Sequence, residues 1–331
     1  MEWKSCQHPR PGALHNKVQR SLRTRTAEIG ETGEIGQTPP VDTGGSQSPK
    51  DATMCRWVAY AGADIFLEDL LFEQKYSLIS QSLRARQSVQ TTNGDGFGIA
   101  WYDRKPNPGV FKDILPAWND ENLRSLASQV ESRLFFAHVR ASTGTAVARS
   151  NCHPFIWRHW SFMHNGKIGK WQQCRREVEA LIHPDLYRHR TGTTDSEALF
   201  LVALSEGLED DPQRAMARAV ARILAVMARH ENRPAGDAPG PVVDEPLRMS
   251  AALTDGQTIW AFRYSSDAQS PTLYYGSPQT RSREPAPDGE IHTIASEPSD
   301  DRISHWHVVD EAHSLRWSNG RVVTTPFAPA A

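Results

Sequence analysis

Hydrophobic and polar positions follow two rhythms along this chain, and its first fifty residues follow neither. From Cys55 the apolar run CRWVAYAG predicts a strand, and FGIAWY from Phe97 and the run from Leu134 to Arg140 predict two more. Between them, Leu70, Leu71, Tyr76, Leu78, Ile79 and Leu83 recur roughly at helical spacing and predict a helix over 67–86. Asn119-Asp120 can cap a second helix running through Leu123, Leu126 and Val130 toward Arg133. WSFMHNGKIGKW reads as a strand that reaches Asn165-Gly166, and 195–208 and 212–230 are helical by period. The C-terminal part is strand-rich: RMSAALT, then QTIWAFRY after Asp255-Gly256, then TLYYG, IHTIAS, and SLRW joined to RVVTT through Asn319-Gly320, both dipeptides being good hairpin turns. Residues 231–247 and 278–290, rich in Pro, Gly and charge, are expected to be surface loops. No repeat of 20 to 50 residues is visible, so the 277 residues from Cys55 onward are expected to form one α+β domain.

Residues 1–53 stand apart. They hold six Gly and five Pro among many Ser and Thr, with no apolar periodicity, and are expected to be a disordered leader or the product of a mis-assigned start at a codon upstream of Met54. Six Lys/Arg against one acid in residues 1–26 weakly suggest a transit peptide, but no apolar stretch there makes a secretory signal.

Composition narrows the class. The 331 residues are 38% hydrophobic, which allows a sizeable core, and a formal net charge of −2 leaves no basic excess to hold a phosphate backbone. Nucleic acid is therefore not an expected partner, and with no long apolar stretch neither is a membrane. Four scattered cysteines without a CxxC pair suit a reducing cytoplasm.

Candidate chemistry comes last. NGDGFG, from Asn93 to Gly98, is too poorly placed for a dinucleotide loop, because a β-prone run follows it where a helix should open. His138, His153 and His164 match no metal-ligand spacing, so neither a metal nor another cofactor is expected. There is no GxSxG elbow. Cys55 directly after Met54 is different. If it becomes the first residue, a thiol and an α-amine that both titrate near neutrality share one residue, and the amine can serve as base for the thiol. Taken alone, Cys55 also reads as a buried strand cysteine.

Six strings in order decide between these readings: MCRWVAYAG, NGDGFGIAWY, AHVRASTG, NCHPF, HNGKI and TTDSE. Together they make the chain resemble the class II glutamine amidotransferases, in the stand-alone branch that includes γ-glutamyl amidohydrolases, over about residues 54–325. The resemblance implies a four-layer αββα sandwich of the N-terminal nucleophile hydrolase type for residues 54–331, and cleavage of the γ-amide of glutamine or a γ-glutamyl compound. Cys55 matches the family's nucleophile, with its own α-amine as base. Asn165 and Gly166 match the oxyanion hole, although Asn-Gly by itself reads as a hairpin turn. Arg140 matches the group that grips the substrate α-carboxylate, and Asp195 the one that receives the α-ammonium. Thr194 and Glu197 read as a capping box, and Asp95 and His153 as scaffolding. A separate synthase subunit that consumes the ammonia is a possible partner. Because Cys55 is internal in this sequence, the alternative is an inactive precursor, or a protein that binds γ-glutamyl ligands without turnover.

Overall fold

The computed structural model describes residues 55–83, 93–142, 145–230, 245–281 and 289–330. The expected leader, Met54 and most of both proline-rich loops lie outside the described residues. In chain order the elements are β1 (Arg56–Phe66), α1 (Glu68–Leu71), α2 (Leu78–Leu83), β2 (Phe97–Tyr102), β3 (Gly109–Asp113), α3 (Glu121–Ala127), β4 (Glu131–Val139), β5 (Phe155–Trp157), β6 (Trp160–Lys167), α4 (Trp171–Glu179), α5 (Pro184–Tyr187), α6 (Asp195–Ser205) and α7 (Pro212–Ala228). They continue with β7 (Arg248–Thr254), β8 (Ile259–Ser265), β9 (Tyr274–Gly276), β10 (Thr293–Ala295), β11 (Trp306–Val308), β12 (His313–Ser318) and β13 (Arg321–Pro326).

The strands form two antiparallel sheets, ordered β11-β9-β10-β1-β4-β2-β3 and β13-β12-β8-β7-β6-β5. The alternation of side chains along each strand divides the core into three apolar layers. Trp57, Ala59 and Ala61 of β1 with Leu134 and Phe136 of β4 meet Met163, Ala252, Ala261 and Leu315 of the other sheet. The intervening positions Val58, Tyr60, Phe135 and Ala137 pack against Leu70, Leu71, Ile79 and Leu123 of the first three helices. On the far side of the second sheet, Phe162, Met249 and Phe262 pack with α4, α6 and α7. This is the αββα sandwich expected from the sequence resemblance. Residues 196–204 of α6 are all buried, whereas α7 buries one face. No described helix is long and apolar enough to cross a membrane.

Several local expectations need correction. The helix expected over 67–86 is two short helices, because the chain between them makes tertiary bonds. The Tyr76 N–H donates to Ser299 O at 2.8 Å, and the Gln74 amide donates to Asp69 O and Gln279 O. The second helix stops at Ala127, where β4 is about to begin, although Asp120 caps it as expected by accepting from Leu123 N at 2.7 Å. Asn165-Gly166 is no hairpin turn. Both residues lie within β6, opposite Ser250 and Met249 of β7. Strands β3, β5 and β11 and helices α4 and α5 were not anticipated; β5 and β11 are only three residues long and α5 only four. The Asn319-Gly320 turn joins β12 to β13 as expected, with φ of 48° and 75°.

Candidate active site

Cys55 stands just before β1 and Arg140 just after the antiparallel strand β4, so register alone sets them side by side at one end of the first sheet. The Cys55 thiol is half-buried, with Sγ 3.4 Å from the N–H of Ala141 and 3.5 Å from its carbonyl. Its own carbonyl accepts from Arg56 Nη1 at 3.1 Å, and Arg56 Nη2 forms a buried ion pair with Glu297 at 2.5 Å. Burial pushes the thiol above its ordinary range. The Ala141 N–H and the charges of Arg140 and Arg56 act against that push, and the charge of Asp195 adds to it. The thiol is therefore protonated at neutral pH, and a base would have to take its proton for it to act as a nucleophile.

The Arg140 side chain is buried and held from three sides. Nη1 donates to Asp95 O at 3.2 Å, and Nη2 donates to the hydroxyls of Ser142 at 3.0 Å and Thr145 at 2.6 Å. Asp95 closes the frame by accepting the Ser142 N–H on Oδ2 at 2.7 Å. Asp95 is thus scaffolding, as its place in NGDGFG suggested, and Ser142 and Thr145 are supports that sequence alone left unassigned.

The second sheet contributes Asn165 and Gly166. The indole N–H of Trp57, two residues after Cys55, donates to Ser250 O at 3.2 Å, and Ser250 is the β7 partner of Asn165. This bond between sheets ties the Cys55 end of β1 to the Asn165 position of β6. Asn165 is 3% exposed, and its Nδ2 is buried without a hydrogen-bond partner. An orphaned buried donor costs roughly 1–3 kcal/mol, so it marks a place where a ligand acceptor would be welcome. At Gly166 an added Cβ would fall 1.9 Å from Arg248 O and 2.5 Å from His164 Nε2, so no side chain fits.

Asp195 opens α6. Oδ2 accepts the N–H of Ile168 at 2.8 Å, just past β6, and Oδ1 accepts the N–H of Ser196 at 2.8 Å. The start of α6 is thereby pinned beside Asn165-Gly166, and its charge reaches Cys55. Thr194 caps the helix, accepting from Glu197 N at 3.2 Å. The other half of the expected capping box is absent. Glu197 turns instead to the N–H groups of Thr191 and Gly192, at 2.9 and 2.7 Å, and to Arg190. The two backbone N–H groups are its short contacts, with Arg190 Nη1 farther off at 3.5 Å and the same guanidinium closer to Glu179, at 2.8 Å from Nη2.

The three histidines do not converge on one point. His138 and His153 stack with ring centroids 4.1 Å apart, and all four of their ring nitrogens are buried without partners. His164 lies on the other face of β6, with Nδ1 2.8 Å from Ser196 Oγ. Burial pushes His138 down to about 3 and His153 well below the ordinary range, so both are neutral at pH 7. Lys112 was not anticipated from sequence. It lies opposite Gly98 on the same face as His138, with Nζ 5.4 Å from the Phe155 ring, and burial lowers it to about 8. Gly98 was the available signal, since a Cβ there would meet Lys112 Cγ at 2.9 Å and His153 O at 2.1 Å.

Cys55, Arg140, Asp195 and Asn165-Gly166 are therefore drawn from both sheets and one helix start into the same end of the sandwich. A family model for glutamine amidotransferases class-II matches residues 71–266, a span that holds Arg140, Asn165, Gly166 and Asp195 and begins after Cys55. Over 231 residues, 64% of each chain, the protein is 36% identical to the probable glutamine amidotransferase DUG3 of Saccharomyces cerevisiae, so it spans about 64% of that relative's length. It is 26% identical over 276 residues to the gamma-glutamyl-hercynylcysteine sulfoxide hydrolase of Mycolicibacterium smegmatis, covering 83% of this chain and 100% of that one. Among solved structures, a glutamine aminotransferase class-II domain protein from Silicibacter pomeroyi superposes with a TM-score of 0.63 at 37% identity, over 84% of this chain and 100% of the other. The glutamine phosphoribosylpyrophosphate amidotransferase of B. subtilis shares the fold at 14% identity, with a TM-score of 0.53 over 83% of this chain and 50% of that one.

Proposed function

The chain belongs to the class-II glutamine amidotransferases, and from that premise we propose that it cleaves the γ-amide of glutamine or of a γ-glutamyl compound through a thioester on Cys55. The observation that carries this reading is the orphaned Nδ2 of buried Asn165, held near a thiol that is flanked by one buried cation, Arg140, and one anion, Asp195.

In this reading Arg140 takes the substrate α-carboxylate and Asp195 the α-ammonium, so that the zwitterionic end is gripped and the amide end reaches Cys55. The sulfur attacks the amide carbon. Its proton passes to the α-amine of Cys55, whose reference pKa of about 7.7–8.0 suits the exchange, and then to the departing nitrogen as the C–N bond breaks. Asn165 Nδ2 and the Gly166 N–H receive the negative charge that develops on the amide oxygen, and water then releases glutamate. Because burial raises the thiol, this base is essential, and an acylated Cys55 nitrogen cannot supply it. The catalytic domain of the proposal is 54–331, with a chain that starts at Cys55 as its active form.

Hydrolysis of a γ-glutamyl compound is supported by the match along the whole length of the mycobacterial gamma-glutamyl-hercynylcysteine sulfoxide hydrolase; a synthase that consumes the released ammonia is the second reading. Cys55, Cys152 and Cys174, the cysteines among the described residues, are free thiols, which suits the cytoplasm.

The test pairs intact-mass measurement with turnover. A protein beginning at Cys55 should release glutamate from glutamine or γ-glutamyl peptides, and Cys55→Ala should not. Glutamate release by the variant, or by a chain that keeps residues 1–53, would refute the mechanism. Ligand binding without any release would favour the binding-protein alternative.

A further inference from the structure

NCHPF contributes more than packing. Its first residue, Asn151, is 1% exposed, in the tight turn Arg149–Asn151 between the two groups assigned to the substrate zwitterion. Its amide is used from both ends. Nδ2 donates to Ala146 O at 2.9 Å and to Thr193 Oγ1 at 3.1 Å, while Oδ1 accepts the Thr193 N–H at 2.8 Å. Ala146 follows Thr145, whose hydroxyl accepts from Arg140 at 2.6 Å. Thr193 precedes the cap Thr194, and Asp195 follows. One side chain therefore spans from the loop that holds Arg140 to the loop that delivers Asp195. The fit is close, since a Cβ on Gly192 would lie 2.5 Å from Asn151 Oδ1 and 2.6 Å from Ser150 O.

We propose that Asn151 is a positioning residue that fixes the separation between Arg140 and Asp195, and so sets the preference for substrates carrying both an α-carboxylate and an α-ammonium. This rests on the reading of Arg140 and Asp195 given above. Arg140 follows a strand of the first sheet and Asp195 opens a helix packed on the second, so their spacing depends on whatever bridges the two loops. A ligand that must touch both groups depends on that spacing. A ligand that touches Arg140 alone does not.

The experiment compares kcat/KM for L-glutamine and for 4-carbamoylbutanoate, which keeps the γ-amide and the carboxylate but lacks the amine. Wild type, Asn151→Ala and Gly192→Ala are measured. The alanine at 192 keeps the Asn151 side chain and forces the two loops apart. Both variants should lose about tenfold of the preference for L-glutamine, chiefly through KM, the scale expected when the Asp195 contact to the α-ammonium weakens by about the net worth of one hydrogen bond. Turnover of 4-carbamoylbutanoate should change less than about twofold. An equal loss on both substrates would mean general damage and would overturn the inference, as would an unchanged preference. If Asn151→Ala does not fold, Gly192→Ala carries the test. A wild-type chain starting at Cys55 that cleaves neither substrate nor γ-glutamyl peptides would refute the functional reading itself, an outcome distinct from an active wild type with variants of unaltered preference.

Discussion

Replacing Asn165 with alanine should separate two quantities that usually fall together. In the resting protein Nδ2 is buried and unpaired, a burden of roughly 1–3 kcal/mol that the alanine variant no longer bears. The small void left behind costs about 1 kcal/mol. Folding stability should therefore stay level or rise by up to about 2 kcal/mol, and at roughly 2–4 °C per kcal/mol for a domain near this size Tm should hold or climb by a few degrees. In the transition state of the proposed reaction the same donor would meet the oxyanion, and its loss should lower kcat by about 10²–10³, close to 3–4 kcal/mol, with little change in KM. Differential scanning calorimetry and initial-rate kinetics on one preparation provide the assay. A hundredfold loss caused by unfolding would leave about one chain in a hundred folded, with Tm below the assay temperature, so the two explanations separate cleanly. A kcat within about threefold of wild type would refute the assignment. A Tm lowered by more than about 5 °C would refute the claim that the amide is an unsatisfied group.

Two further perturbations address the surrounding frame. Glu297→Gln should leave the Arg56 guanidinium buried beside a neutral group and cost about 3–5 kcal/mol in urea denaturation, since both side chains are almost fully buried; a loss below about 1 kcal/mol would show that the pair contributes little. His138 is held neutral by burial, with its folded value down at about 3 against an ordinary value of about 6.5, so its contribution is present above pH 6.5 and is lost as pH falls toward 3, by up to roughly 1.4 kcal/mol per pH unit. His138→Phe should therefore flatten the decline in stability between pH 6.5 and pH 4, and an unchanged slope would remove His138 as its source.

The residues proposed for the chemistry could be named from the sequence because they stand in short strings with fixed internal spacing, and the structure bears out the elements that carry them. Arg140 ends a strand whose apolar run is plain, Asp195 opens a helix with a clear cap, and Cys55 precedes a strand of strong β propensity. Where the reading failed, a distant partner had outbid the local signal. The helix expected over 67–86 breaks because Tyr76 gives its N–H to Ser299. Nearer in the chain, Glu197 leaves the capping box for the N–H groups of Thr191 and Gly192. Asn165-Gly166, a turn by dipeptide statistics, stays extended because β7 lies alongside and the Arg248 carbonyl fills the space a side chain would need.

By itself the sequence determined which residue types stand at which positions and which segments alternate, and these are local properties of composition and period. Tertiary structure alone decided their convergence. The Trp57 bond to Ser250 sets one sheet against the other, and the Asp195 bond to Ile168 seats a helix start beside β6. The same packing leaves one amide on Asn165 without a partner. None of these can be read from a one-dimensional pattern, because each depends on groups far apart in sequence that meet only once water has been excluded from between the layers.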